Sequence, residues 1–323
     1  MYVRSFCNYP MNQNQRPRVP RRVLDGVLLL DKPLGLSSND ALMSAKRLYL
    51  AKKAGHTGTL DPLASGLLPL CFGEATKFSQ DLLDADKTYE ATMRLGIRTS
   101  TGDAEGEVLE TAAVRVERSE VEAACRRFVG EIIQVPPMYS ALKRDGKPLY
   151  EYARAGQTVE REGRAVTIRC LEVTGCVLPD VTFRVTCSKG TYVRTLAEDI
   201  GAALGCGAHL VALRRTGVGA LTLEHAVTLD ALSDMDMPAR DAMLQPVDAL
   251  LSTFAPVQLG HELARRFQQG QRIRLAELSA PTVQESSEGS VRVRVYRESD
   301  GALLGVARAG DGVLAPERLV VGG

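Results

Sequence analysis

Strand-like and helix-like segments follow one another in mixed order along this chain, and that order narrows the fold more than any single motif does. Val27 to Leu30 is a short apolar run ending at Asp31-Lys32-Pro33, which reads as a buried strand and a turn, and the Ser37-Ser38 pair then caps a helix. From Asn39 to Lys53 the apolar positions Leu42, Ala45 and Leu48 recur at helical spacing, with Gly55 placed to end the helix. Leu67 to Gly73 reads as a strand and Ala75 to Leu83 as a short helical stretch. Lys87 to Leu95 alternates as a half-buried strand does, and Glu120 to Phe128 is helical in pattern. Strands are expected around Val166 to Thr174 and Val181 to Cys187, followed by a helix that Gly205 stops near Leu204. Because this order lacks regular strand-helix alternation, a doubly wound parallel sheet is disfavoured. An α+β architecture with a mixed, largely antiparallel sheet flanked by helices is expected.

The texture changes at both ends. The first residues carry Arg4, Arg16, Arg18, Arg21 and Arg22 with no acid among them, so residues 1–24 read as a disordered basic tail. Val135-Pro136-Pro137 opens a polar, tyrosine-bearing excursion over residues 137–165, set within a main domain of residues 25–251. Residues 252–323 show one helical stretch, Leu263 to Gln269. Short strand-like runs follow at Val291 to Tyr296, Leu303 to Ala307 and Leu319 to Val321, which predicts a small β-rich domain.

The chain has 323 residues, 45% of them hydrophobic and 24% charged, the composition of an ordinary globular protein. No apolar run approaches the roughly 20 residues that cross a bilayer, and no signal peptide is evident, so a soluble cytoplasmic protein is expected. The seven cysteines are scattered without a C-x-x-C pair, and the four histidines do not cluster near them. Neither a zinc site nor a disulfide framework is indicated, and reduced thiols are the simplest account. The net charge of +1 announces no polyanionic partner by itself. Local patches do stand out at Lys46, Arg47, Lys52 and Lys53, and again at Lys143, Arg144, Lys147 and Arg154.

In the segment from Gly55 to Gly66, three glycines bracket one histidine, His56, and one carboxylate, Asp61, which Pro62 follows. Such a loop holds one acidic group rigidly against something that approaches closely, or it merely starts a turn, since Asp bonds its own local backbone and Pro presets the dihedral. No G-x-x-x-x-G-K-[ST] motif occurs, so nucleotide hydrolysis is not indicated. His56 reads as a base, a ligand or a loop donor. Tyr89, near a strand start, reads as core or as a stacking platform. Arg194 stands at a turn-to-helix junction.

Together these segments resemble the bacterial tRNA pseudouridine-55 synthases, the TruB family. The resemblance runs from about Gly26 to the C-terminus. It rests on GVLLLDKPLGLSSND (26–40), GHTGTLDPLASGLLP (55–69), GEATKFSQ (73–80), VPPMYSALK (135–143) and CSKGTYVRTL (187–196). It implies a pseudouridine-synthase core followed by a small C-terminal PUA-like β-barrel. The implied activity is isomerisation of one uridine in the T loop of tRNA, with no cofactor and no metal, by a monomer. Asp61 matches the family's essential aspartate, Tyr89 the tyrosine against the target base, and Arg194 the arginine that pairs with the aspartate. His56, Tyr192 and Leu213 match positions that contact RNA or line the pocket. The 137–165 excursion corresponds to an RNA clamp bearing Lys143, Arg144 and Lys147.

The residue chemistry is compatible with these roles. A uridine in a folded loop must be extruded before it can be re-bonded. An aromatic ring then returns about 1–3 kcal/mol of stacking per base. Arg194 would favour the charged form of Asp61, which either attack on the sugar or removal of a sugar proton requires. One departure is visible: where the family often shows Thr-Asp-Thr-x-Asp-x-x-Gly, this chain has Ser100 in place of the first carboxylate and keeps Asp103. Two alternatives stay open, a tRNA-binding or folding protein without turnover and a synthase for another RNA site.

Overall fold

The computed structural model describes residues 20–278 and 290–321. Of the expected tail, residues 1–19 lie outside that range. From Arg22 onward the chain is held, because the Arg22 N–H donates to the Leu50 carbonyl at 2.7 Å and its guanidinium pairs with Asp241 at 2.5 Å.

The main sheet is built from β1 (Gly26–Lys32), β2 (Ala54–His56), β3 (Ala64–Phe72) and β4 (Lys87–Leu95), with α1 (Ser38–Leu48) and α2 (Ser79–Leu83) between them. A small hairpin of β5 (Ile97–Thr99) and β6 (Val108–Thr111) precedes α3 (Arg118–Arg126) and β7 (Gly130–Gln134). The polar excursion forms a second hairpin, β8 (Lys143–Arg144) and β9 (Lys147–Pro148), and α4 (Leu149–Arg154). Then come β10 (Arg164–Val177), β11 (Asp180–Cys187), α5 (Val193–Ala203), β12 (Ala208–Val218), β13 (Leu221–Thr222), α6 (Leu229–Asp234) and α7 (Met237–Ala242).

Among the described residues the sheet runs β1-β3-β12-β4-β11-β10-β7, with β2 on β3 and β13 on β12. Only the β3–β12 contact is parallel, so the sheet is mixed and mostly antiparallel, as expected. β1 is apolar without alternation because it is covered on both sides: Leu28 and Leu30 pack with α1 and α6, whereas Val27 and Leu29 pack with the opposite layer. β4 alternates because one face is wet, with Ala91, Met93 and Leu95 inward and Glu90 exposed.

Two expectations need correction. α1 ends at Leu48, well short of Lys53, because Leu50 adopts a left-handed φ of 52° and the chain turns back to pair with Arg22. Gly55 therefore lies within β2 and ends no helix. The strand expected at Leu319 to Val321 is instead Val313–Leu319. Asp311 and Gly312 both take positive φ, the two-residue turn geometry that matches strand twist.

The C-terminal part contains β14 (Ala255–Leu259), α8 (His261–Gln268), β15 (Ile273–Arg274), β16 (Val291–Arg297), β17 (Leu303–Gly310) and β18 (Val313–Leu319). Its five strands run β14-β16-β17-β18-β15 and curl as a half-barrel around a core that includes Phe267 and Val293. Arg292 ties this sheet to α2 through an ion pair to Asp81 at 2.5 Å.

Candidate active site

The segment between β2 and β3 is fastened on both sides of Asp61. The buried Ser38 hydroxyl accepts from the Leu60 N–H at 2.7 Å and donates to the Leu60 carbonyl at 2.9 Å. The Gly35 N–H donates to the Pro62 carbonyl at 2.9 Å, and the Ala64 N–H to that of Asp61 at 3.0 Å. Asp61 is thus a turn residue and also a held carboxylate, with its side chain 47% exposed.

Two of the three glycines answer to the protein's own backbone. A Cβ at Gly66, where φ is +100°, would lie 2.2 Å from the Arg215 carbonyl oxygen, so the parallel approach of β3 to β12 requires glycine there. Gly58, with φ of +79°, passes over the Arg215 guanidinium, which donates to its carbonyl at 3.1 Å. Gly55 has open space around it and an ordinary φ, so neither packing nor backbone conformation demands glycine there.

Arg194 projects from the first turn of α5 with its side chain 7% exposed. Nη2 lies 3.0 Å from Asp61 Oδ2 and donates to the Tyr139 carbonyl at 2.7 Å. Nη1 lies 3.1 Å from Asp103 Oδ2 and donates to the Thr101 carbonyl at 3.1 Å. Asp103 is in turn fixed through Oδ1, which accepts from the Thr101 hydroxyl at 2.5 Å and the Glu105 N–H at 3.1 Å. A planar guanidinium satisfies these divergent acceptors at once, which a lysine ammonium does not. At the departed position, the Ser100 hydroxyl accepts from the Glu107 N–H at 3.0 Å, so the loop is anchored there without a carboxylate.

The sheet register brings the remaining residues together. Leu213 pairs with Ala64 of β3 on one side and Ala91 of β4 on the other, and Arg215 likewise pairs with Gly66 and Tyr89. Tyr89 and Leu213 pack against both the α3–α5 core and the α1–α6 core, so they lie where the two meet. Together with Asp61, Tyr192 and Arg194 they line a cavity of about 330 Å³. A neighbouring cavity of about 420 Å³ shares Asp61 and Arg194 and adds His56, Asp103, Tyr150 and Arg154. Lys143, Arg144 and Lys147 line neither; they stand on the β8–β9 hairpin, with the Lys147 ammonium 4.6 Å from the Tyr152 ring centroid.

The electrostatics are those of a partly dry pocket. Burial pushes the Tyr89 and Tyr192 hydroxyls up. Burial, then the Arg215 charge, pulls His56 down, and its buried Nδ1 has no hydrogen-bond partner. His56 is therefore neutral near pH 7. Burial draws Lys32 down to about 8 against the opposing pull of Asp61; its ammonium donates to the Pro33 and Leu36 carbonyls at 2.8 and 2.7 Å. An accessible carboxylate beside a guanidinium, at a cavity walled by an aromatic ring and a leucine, suits attack on, or proton removal from, a group bonded to a flat ring.

Sequence reasoning did not assign Asp103, Lys32, Ser38 or Arg215 to this site. Asp103 was visible as the surviving acid of its loop and Ser38 as half of a capping pair. Arg215 sits in β12, a strand that was not anticipated, and the only signal was an arginine pair within the apolar stretch from Ala208 to Val218.

Residues 46–193 match the family described as TruB family pseudouridylate synthase (N terminal domain). Residues 194–252 match the tRNA pseudouridylate synthase B C-terminal domain, and residues 255–320 the pseudouridine synthase II TruB C-terminal family. A Burkholderia mallei protein named tRNA pseudouridine synthase B is 76% identical over 308 residues, covering 95% of this chain and 98% of its own. A Cupriavidus taiwanensis protein of the same name is 65% identical over 312 residues, covering 96% and 98%. Among solved structures, the chain superposes on an archaeal box H/ACA sRNP Nop10-Cbf5 complex with TM-score 0.69 at 26% identity, covering 91% of this chain and 85% of the other. A Cbf5-Nop10-Gar1 complex gives 0.71 at 26%, covering 91% and 84%.

Proposed function

The chain belongs to the TruB family of pseudouridylate synthases, and on that premise we propose that it converts uridine-55 in the T loop of tRNA to pseudouridine. The N-glycosidic bond breaks, the uracil turns, and a C5–C1′ bond forms; the proton lost from C5 is balanced by one gained at N1. Every heavy atom of the substrate is kept and no electrons leave it, so the reaction calls for no redox cofactor and no co-substrate. The base is extruded into the 330 Å³ cavity, at a cost of a few kcal/mol. Tyr89 supplies the stacking surface and Leu213 and Tyr192 close the walls.

Asp61 acts as a carboxylate, on the sugar carbon or on a sugar proton, with Arg194 keeping it aimed once the base covers it. His56, neutral, fills space vacated in the RNA stack. The 137–165 excursion closes over the RNA with Lys143, Arg144 and Lys147 on its phosphates, within a catalytic domain of residues 25–251. The PUA-like domain of residues 252–323 reaches the acceptor stem. The enzyme works as a cytoplasmic monomer without metal. Among the described residues no helix is long and apolar enough to cross a membrane.

The observation that supports this reading most is the 3.0 Å contact of Asp61 with Arg194 at a cavity walled by Tyr89. The test is an unmodified tRNA, or a T-arm stem-loop, carrying tritium at C5 of its uridines. Release of one tritium per molecule without added cofactor, abolished by Asp61→Asn, is expected. Tight tRNA binding without release would instead favour a binding protein. Pseudouridine mapped elsewhere with the T loop untouched would overturn the assigned site.

A further inference from the structure

Gln134 is 2% exposed, and its side-chain amide addresses both polar groups of one distant residue. Its Oε1 accepts from the Tyr192 N–H at 2.9 Å and its Nε2 donates to the Tyr192 carbonyl at 3.1 Å. Gln134 ends β7, the last strand of the sheet path, where its own backbone pairs with Arg164 of β10. Its side chain therefore does for Tyr192 what a further strand would do, presenting one acceptor and one donor in ladder fashion.

Tyr192 is the N-cap of α5, in extended backbone with φ −100° and ψ 109°, and it provides no side-chain cap. Its carbonyl already accepts from the Leu196 N–H at 3.0 Å, so the Gln134 amide takes the second lone pair. Two residues on is Arg194. The same short span, five residues past Gln134, supplies the Tyr139 carbonyl that receives Arg194 Nη2 at 2.7 Å, the nitrogen that also faces Asp61. Residues 134–139 thus grip the start of α5 at its backbone and at its arginine, and they are the root from which the β8–β9 excursion departs.

We infer that Gln134 is a positioning residue. Its amide fixes the entry angle of α5, and so sets where Tyr192 and the Arg194 guanidinium stand relative to Asp61. This rests on the function proposed above. Reactivity at such a pair is steep in distance, a displacement of about 1 Å costing up to ~100-fold in rate. Gln134 touches no substrate; it acts through the peptide it holds.

Two variants of similar size separate this role from general support of the fold. Gln134→Met removes both bonds. Gln134→Glu keeps the acceptor for the Tyr192 N–H but turns a carboxylate oxygen on the Tyr192 carbonyl, and on protonation the acid becomes a donor again. Single-turnover tritium release, tRNA affinity, thermal melting and hydrogen exchange at the Tyr192 N–H are measured on the full chain and both variants. The expected result is a ~10- to 100-fold slower turnover in both folded variants with tRNA affinity within about threefold of wild type. The Glu variant should recover towards the wild-type rate as pH falls while the Met variant does not, and Tyr192 exchange should accelerate in Gln134→Met. Wild-type turnover in folded Gln134→Met, parallel losses of affinity and rate, or failure of both variants to fold would each overturn the inference. If wild type itself releases no tritium, the functional reading falls, and Tyr192 exchange still decides whether Gln134 holds this peptide.

Discussion

Arg194 and Asp103 are buried against each other, Nη1 to Oδ2 at 3.1 Å, with their side chains 7% and 5% exposed. Asp61, on the other branch of the guanidinium, is nearly half exposed. The inner pair thus fixes the arginine and leaves its outer nitrogen to meet a carboxylate that is open to a ligand.

Arg194→Lys keeps the charge but loses the fork, so one ammonium must choose among Asp61, Asp103 and two carbonyls. Turnover should fall at least ~100-fold, the scale for removing one aimed donor from a reacting centre, with tRNA affinity within a few-fold of wild type. Single-turnover kinetics beside a filter-binding isotherm checks the split; weakened binding with an intact rate would contradict it.

Asp103→Asn leaves the shape and removes the inner charge. Losing a charge-assisted bond in a buried setting costs about 1.5–3 kcal/mol, so urea unfolding should show a loss of that order. The rate should drop too, because Arg194 is then free to lean towards Asp61. A stable variant of unchanged rate would show that the inner pair positions nothing.

Gly66→Ala places a Cβ against the Arg215 backbone where φ is already +100°. The strained conformation alone costs about 1–3 kcal/mol, and the clash adds to it. Gly55→Ala meets no atom within 4 Å and should change stability by less than about 1 kcal/mol. Paired melts of the two variants test the contrast, and equal behaviour would refute it.

Lys32 is fully buried and its amine titrates near 8, whereas in the unfolded chain it titrates near 10.5. Between those values the unfolded state binds the proton that the folded state has released, so the contribution of Lys32 to stability rises with pH across that window. The stability of wild type minus that of Lys32→Met should therefore increase from pH 8 to pH 10. Lys87, also drawn down to about 8, is common to both proteins and cancels. Denaturant melts at the two pH values would show a flat or falling difference if Lys32 were not desolvated.

Much of the architecture is legible in local pattern. Lys87 to Leu95 is a strand with the expected bounds, and α5 begins at the anticipated turn. β12 is not legible in this way, although it is the strand between β3 and β4 that places Leu213 and Arg215. Its residues Ala208 to Val218 carry two bulges against β4, which break the period of two that marks a strand in sequence. α1 is shorter than the 39–53 pattern predicts, because the left-handed turn at Leu50 answers to a pairing with Arg22 that no local window contains.

The periodicities, the glycine-bracketed carboxylate and five family motifs in order are all readable along the chain. The fold alone brings Asp61 to face Arg194, sets Asp103 as the buttress of that arginine, and makes Gly66 leave room for the Arg215 backbone. Period and composition are properties of neighbours along the chain. Which strand lies beside β3, and hence which side chains converge there, follows from the burial of two cores on one face of the sheet, to which residues more than a hundred positions apart contribute together.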